Sequence, residues 1–374
     1  MKSRLLIYGV DTWQGALISR RAAASLPHIG AGREIARVAG HANETGAGEG
    51  ENRPVEPRIF GLGDRTRIAS LLDDVSVLLN CASSDAGTAA PLIDVCLETG
   101  THYLDLGGDR AHIAALLARH DEAVKAGVVL VPGASFDFAA ANAVAARLAT
   151  ILPTARGLML AVKRSGRSAA EARALVAALH LPGETIRNGQ LTPAEPGARV
   201  LNCDFGQGAE AAQLAPWRGE GLVWRRRGPY STIETYEVLP PVLVRLLKRG
   251  SLAGAMLRRG WGLKRIERRL TRGREGPTDA ELARSRATVW GEARTPDGKV
   301  ARARLETPAA AIYTADAALL IARALMESGA REGGFYLPSD IAGAGLVEGI
   351  EGVVWREIAE AAEAGLDVSV MVGD

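Results

Sequence analysis

Most features that mark specialised proteins are missing from these 374 residues. The three cysteines, Cys81, Cys96 and Cys203, fit neither a metal-ligand spacing nor an even disulfide framework, so a reduced, cytoplasmic setting is expected. The six histidines are scattered, with no H-x-x-x-H pair and no cysteine partner, and no metal site is expected. There is no G-x-S-x-G elbow, nor any recognisable nucleophile triad. Neither sign of charge dominates: the net charge is +2, which gives no global argument for nucleic-acid binding. No apolar run approaches the ~20 residues of a membrane span. The apolar stretch near the N-terminus is too short for a signal-peptide core. The expectation is a soluble chain, at most peripheral to a membrane.

What is present is an ordinary globular composition, 47% hydrophobic and 24% charged, in a chain long enough for two domains. Over the first half, short apolar runs alternate with helical stretches. RLLIYG, PHIGAGR, RIFGLGD, VSVLLNCA, HYLDLGG and GVVLVPG read as strands, with helices over residues 16–26, 89–99 and 111–126 among those between them. HANETGAGEGENRPVEP, residues 41–57, is rich in Gly, Glu and Asn and reads as a loop. Repeated β-α-β units predict an α/β fold with an open, doubly wound parallel sheet. After Ala139 a helix leads into GLMLAVKR, ARVLNCDF and STIETYEVL, and ATVWGEAR–TPDG–KVARARLE reads as a hairpin turning at Asp297-Gly298. The second part therefore predicts an α+β domain on a largely antiparallel sheet.

The stretch YGVDTWQG opens the first unit like a dinucleotide fingerprint, in which one glycine makes the tight turn and another lets helix and strand pack. Gly9 and Gly15 stand at those places. Thr12 stands where close backbone approach to a pyrophosphate is wanted, and can serve a phosphate there only at negative φ. Trp13, next in the turn, is a further candidate for cofactor contact. Arg33 is the first charge after the second strand, with no acidic residue at the tip. It reads either as a seat for the 2′-phosphate of NADP or as a solvated arginine. Asp64, Asn80, Ala82 and Ser83 fall on loops at the carboxyl ends of the third and fourth strands, where ligands of such sheets collect.

The segment GTHYLDLGGDRAHIAALLARHDEAVKAGVVLVPGASFD, residues 100–137, resembles the saccharopine dehydrogenase superfamily, with its Y-x-D-L-x-G-(E/D) motif, AGV-x-LVP strand and following Asp. The turn at Gly9 is similar to that family's G-A-T-G-F-T-G, apart from Val10-Asp11 and Thr12. GPTDAELARSRATVWGEAR and IYTADAALLIARAL resemble the trans-acting enoyl reductase branch, while Ala82-Ser83-Ser84 replaces its usual G-P-Y. The resemblance implies a Rossmann dinucleotide-binding domain over 1–138 and an inserted substrate or dimerisation domain over 139–332. Residues 333–374 would return to the first domain. It implies NADP, with NAD as the alternative, and hydride transfer to a C=C bond of a hydrophobic or acyl-carrier-bound, lipid-like substrate. An amino-acid or polyamine C–N dehydrogenase is the alternative within the fold. A non-catalytic cofactor- or membrane-binding protein is the alternative outside it. A homodimer is compatible with the second domain.

Tyr103 or Asp109 is the candidate proton donor, with Asp105 as orienting group; the competing reading is a packed Tyr103 and capping aspartates. Ser135 and Asp137 are candidate substrate contacts, Asp137 also reading as a helix cap. Residues 245–274, RLLKRGSLAGAMLRRGWGLKRIERRLTRGR, form a basic, amphipathic segment with Trp261 among its apolar residues. It suits an anionic membrane surface or an acidic carrier, or else a solvated helix face. No nucleic-acid module accompanies it.

Overall fold

A computed structural model describes residues 2–46, 55–83, 85–179, 183–216, 218–247, 265–266, 268–269, 273–327, 331–358 and 368–370. The chain divides into two compact units, Met1–Ala139 with Ala311–Ile350, and Ala140–Ala310 with Glu351–Asp374.

The first unit is built on seven parallel strands: β1 (Arg4–Tyr8), β2 (His28–Gly32), β3 (Glu56–Ile59), β4 (Val75–Asn80), β5 (His102–Asp105), β6 (Val129–Val131) and a late strand, Gly334–Phe335. Their spatial order is β3-β2-β1-β4-β5-β6 followed by the late strand, which pairs parallel with β6. Leu5, Leu6, Ile7, Val77, Leu78, Leu79, Leu104, Val129, Leu130 and Val131 have no solvent exposure, as strands covered on both faces require.

Helices α1 (Trp13–Ala23), α2 (Ile35–Gly46), α3 (Arg65–Ser70), α4 (Ala86–Thr99), α5 (Arg110–Ala118) and α6 (His120–Ala126) make the crossovers. Side-chain caps start four of them: Thr12 on α1, Asp64 on α3, Asp85 on α4 and Asp109 on α5. Left-handed Gly100 and Gly127 end α4 and α6, the usual C-terminal stop for a residue without Cβ.

Three expectations are corrected. Residues 41–46 are helical, not loop: one turn apart, His41 and Thr45 both point inward, and His41 shares a hydrogen bond with Ser19. The helix expected over 111–126 is two, α5 and α6, meeting at Arg119. The return to the first unit begins at 311, not 333, because the helix Ala310–Glu327 packs there. Arg21 grips its Asp316 with two bonds of 2.6 and 2.9 Å, Phe136 N–H donates to Thr314, and Tyr313 OH donates to Leu346 O. The chain then leaves again at Glu351.

The second unit carries a ten-stranded sheet. Its centre is β7 (Gly157–Arg164), paired parallel with β12 (Thr232–Glu237) and antiparallel with β13 (Ala287–Arg294), which pairs β14 (Val300–Thr307). Outer pairs are antiparallel, including β10 (Arg199–Asp204) with β11 (Ala209–Leu214) and the terminal strands Val354–Ile358 on β14 and Val368–Val370 on β10. The W-G-E motif has a structural cause. A Cβ on Gly291 would lie 2.6 Å from Val144 of helix α7 (Ala141–Ile151), which crosses β13 there. Trp290 points to the other face and packs against Tyr236, while buried Glu292 bonds Arg294 and Arg302. Among the described residues no helix is long and apolar enough to cross a membrane. The basic segment 245–274 lies mostly outside the described residues.

Candidate dinucleotide site

One row of paired residues defines the carboxyl edge of the parallel sheet. Ala31 pairs with Tyr8, Tyr8 with Asn80, and Asn80 with Asp105. The next residues of β1 and β4 therefore leave the sheet side by side, where the strand order reverses. In open α/β sheets that reversal is where ligands settle.

Gly9 sits there at φ +97, and a Cβ on it would lie 2.6 Å from the backbone nitrogen of Ala82. Only glycine allows both that conformation and that approach. A Cβ on Gly15 would fall 2.1 Å from Gly9 O, so the second glycine lets α1 seat against the turn. Thr12 adopts φ −99, ψ 156, where a β-branched residue is at ease. Its hydroxyl donates to Gly9 O at 2.7 Å and accepts from Gly15 N at 3.1 Å. Thr12 is therefore the helix cap. The N–H groups of Trp13 and Gln14, in the first turn of α1, have no carbonyl within their own helix to bond.

The β4 loop is held from inside. Asn80 Oδ1 accepts from Ala82 N at 3.0 Å, and Nδ2 donates to Ser83 O at 2.7 Å and to Tyr103 OH at 3.0 Å. Behind it, Tyr103 is fully buried and its hydroxyl also bonds Asp105, burial and that carboxylate pushing its pKa well up. Asp105, itself buried, takes Gly107 N at 2.9 Å and Gly133 N at 3.3 Å, and bonds His112 Nε2 at 2.5 Å. Phe138 fills the space left by Gly108 and Gly133, where a Cβ would meet its ring or Cβ at 2.7 and 2.3 Å. The Y-x-D-L-G-G and G-A-S-F-D-F motifs thus lock two adjacent loops together.

Several expected roles change. Tyr103 is a buried brace with no solvent exposure, so it is not placed as a proton donor. Asp109 caps α5 by accepting from His112 N at 3.0 Å. Asp64 likewise caps α3 through Arg67 N. Asn80 serves the loop rather than a ligand. Ser135 opens a single π-helical turn, Phe136–Ala140, its carbonyl accepting from Ala139 N at 2.7 Å. Asp137 lies within that turn and does not cap α7, whose N-cap is Ala140. Ser83 is exposed beside the Gly9 turn.

The acid-free tip expected after β2 is not what the fold produces. Asp11, from the glycine turn, accepts from Arg33 N at 3.0 Å and Glu34 N at 3.2 Å. Its position in the G-V-D-T turn was the available signal, but only the β1–β2 register brings it there.

No protein-family profile and no curated protein matches the chain. Solved structures do. Saccharopine dehydrogenase (L-Glu forming) from Saccharomyces cerevisiae aligns over 96% of this chain and 100% of its own, at 12% identity and a TM-score of 0.63. GenD2 from gentamicin A biosynthesis, solved in complex with NAD, aligns over 80% of this chain and 72% of its own, at 12% identity and TM-score 0.38. A beta-ketoacyl-ACP reductase from Bacteroides thetaiotaomicron aligns over 35% of this chain and 79% of its own, at 12% identity and TM-score 0.30. With its 3-2-1-4-5-6 parallel order and second, mostly antiparallel sheet, the chain has the saccharopine dehydrogenase fold.

Proposed function

We propose that this protein is an oxidoreductase that uses a nicotinamide dinucleotide. The observation that carries the reading is the cradle at the strand-order reversal, where Gly9 and Gly15 leave no room for a Cβ and the first turn of α1 opens beside them. These residues fit a pyrophosphate: the N–H groups of Trp13 and Gln14 are donors at a helix N-terminus, whose partial positive charge favours an anion. Bound there, the dinucleotide supplies or accepts a hydride. The chain's own part is placement. Thr12 fixes the turn, and Tyr103 through Asn80 holds Ala82 against Gly9.

Two substrate classes stand within this reading. Reduction of a C=C bond in a hydrophobic or carrier-bound intermediate follows from the sequence likeness of the C-terminal half. Oxidation or formation of a C–N bond to an amino acid is favoured by the fold shared with saccharopine dehydrogenase over nearly the whole of both chains.

Titration of the purified chain with NADH and NADPH, followed by nicotinamide fluorescence, tests the cofactor. Saturable binding is expected, together with its loss in Gly9→Val. Absence of binding in the native protein would overturn the reading and favour a non-catalytic role. Dinucleotide oxidation with an enoyl thioester, set against an α-keto acid plus amine, then separates the two classes.

A further inference from the structure

We propose that Asp11 makes this chain select NAD(H) over NADP(H). The inference rests on the dinucleotide reading above and deepens it.

In a sheet of this topology the adenosine ribose lies beyond the end of β2. An acidic side chain there receives the 2′-hydroxyl of NAD, and a 2′-phosphate instead needs donors and positive charge. The backbone donors at that tip are the N–H groups of Arg33 and Glu34. Both are already taken by one oxygen of the Asp11 carboxylate.

The arrangement is built in. Gly9 and Val10 both donate to Ala31 O, at 2.7 and 3.1 Å, which ties the β1 turn to the end of β2. At Gly32 a Cβ would lie 2.7 Å from the Asp11 carboxylate, so the glycine is what admits the side chain. A fixed anion therefore occupies the place that the 2′-phosphate would use.

Charge decides the rest. A 2′-phosphate brings roughly two negative charges to within a few ångströms of a carboxylate, a repulsion large even at surface dielectric. Glu34, which is exposed, adds a second carboxylate at the same tip. Arg33 and Arg37 supply the opposing charge, Arg37 lying 4.0 Å from Glu34. A ribose 2′-hydroxyl meets no such cost and can donate to the carboxylate. The preference expected from Arg33 alone is thereby reversed.

The test is equilibrium binding to the full chain, read by nicotinamide fluorescence and by competition of AMP against adenosine 2′,5′-bisphosphate. The native protein is expected to bind NADH roughly tenfold or more tightly than NADPH, and AMP over the bisphosphate. Asp11→Asn, near in shape and uncharged, is expected to shrink that ratio about tenfold, mostly through tighter NADPH binding and more at low salt. Arg33→Ala is expected to keep the NADH preference. Tighter NADPH binding by the native protein, or an unchanged ratio in a folded Asp11→Asn, overturns the assignment and leaves the oxidoreductase reading intact. Should Asp11→Asn fail to fold, the native ratios alone decide. Binding of neither dinucleotide removes both.

Discussion

At the scale of single residues, the site depends on side chains that reach no ligand. Tyr103 lies within β5 with its hydroxyl between Asn80 and Asp105, and that hydroxyl is the link between them. Removing it takes one hydrogen bond from each of these buried groups, which costs about 1–3 kcal/mol. Tyr103→Phe is therefore expected to lower the melting temperature by several degrees, at ~2–4 °C per kcal/mol in a unit of this size. It should also weaken dinucleotide binding as the Ala82 loop loosens. A proton donor would behave otherwise: turnover would fall while melting and cofactor affinity stayed put. Calorimetry with parallel binding curves distinguishes the two outcomes.

At the scale of elements, α1, β2 and α2 are joined by a buried chain of polar side chains. His28 Nδ1 faces Leu26 O at 3.0 Å, and a carbonyl only accepts, so Nδ1 carries the hydrogen. In the neutral ring Nε2 then accepts from Ser19 Oγ at 2.6 Å, and Ser19 accepts from His41 Nε2 at 2.8 Å. Burial lowers the pKa of both rings; for His41 Arg20 lowers it further while Glu44 opposes, and for His28 the Leu26 carbonyl opposes while His41 lowers it.

Because the folded values lie below the unfolded one of about 6.5, the unfolded chain takes up protons first as pH falls. The stability these groups contribute is whole above that pH and lost as pH drops through the folded values, with His102 acting in the same direction. Melting temperature is expected to fall from pH 7 toward 5. A folded variant with His28→Gln and His41→Gln should show a flatter profile, and an unchanged slope would reject the assignment.

The same scale shows why parts of the sequence misread. HANETG looks like polar linker, yet its His41 and Thr45 are spent inside the protein. A hairpin, β8 (Gly183–Arg187) and β9 (Gln190–Ala194), lies outside the strands expected from sequence, although Asn188-Gly189, both at positive φ, is the strongest short-range signal for one.

At the scale of the whole molecule, the proposed pyrophosphate cradle at Gly9 belongs to the first unit, whose two sequence segments flank residues 140–310 of the second. Ligand that binds the folded state alone adds about 2.7 kcal/mol at a hundred times Kd. Saturating NADH is thus expected to raise the melting transition of that unit by several degrees in calorimetry. Absence of any shift at saturation would contradict binding at the Gly9 turn.

What the sequence determined by itself was local chemistry. Apolar runs, most of them bounded by glycine, sufficed for the first six parallel strands, and alternation around Asp297-Gly298 for the second-unit hairpin, because propensity and burial period act within a few residues. What the tertiary structure alone decided were encounters between distant segments. Strand register set Asp11 against the N–H groups of Arg33 and Glu34 and turned Tyr103 into a brace for Asn80, while contacts with Arg21, Phe136 and Leu346 hold the helix Ala310–Glu327 on the first unit. Each depends on which distant segments lie side by side, and that is a property of the assembled fold.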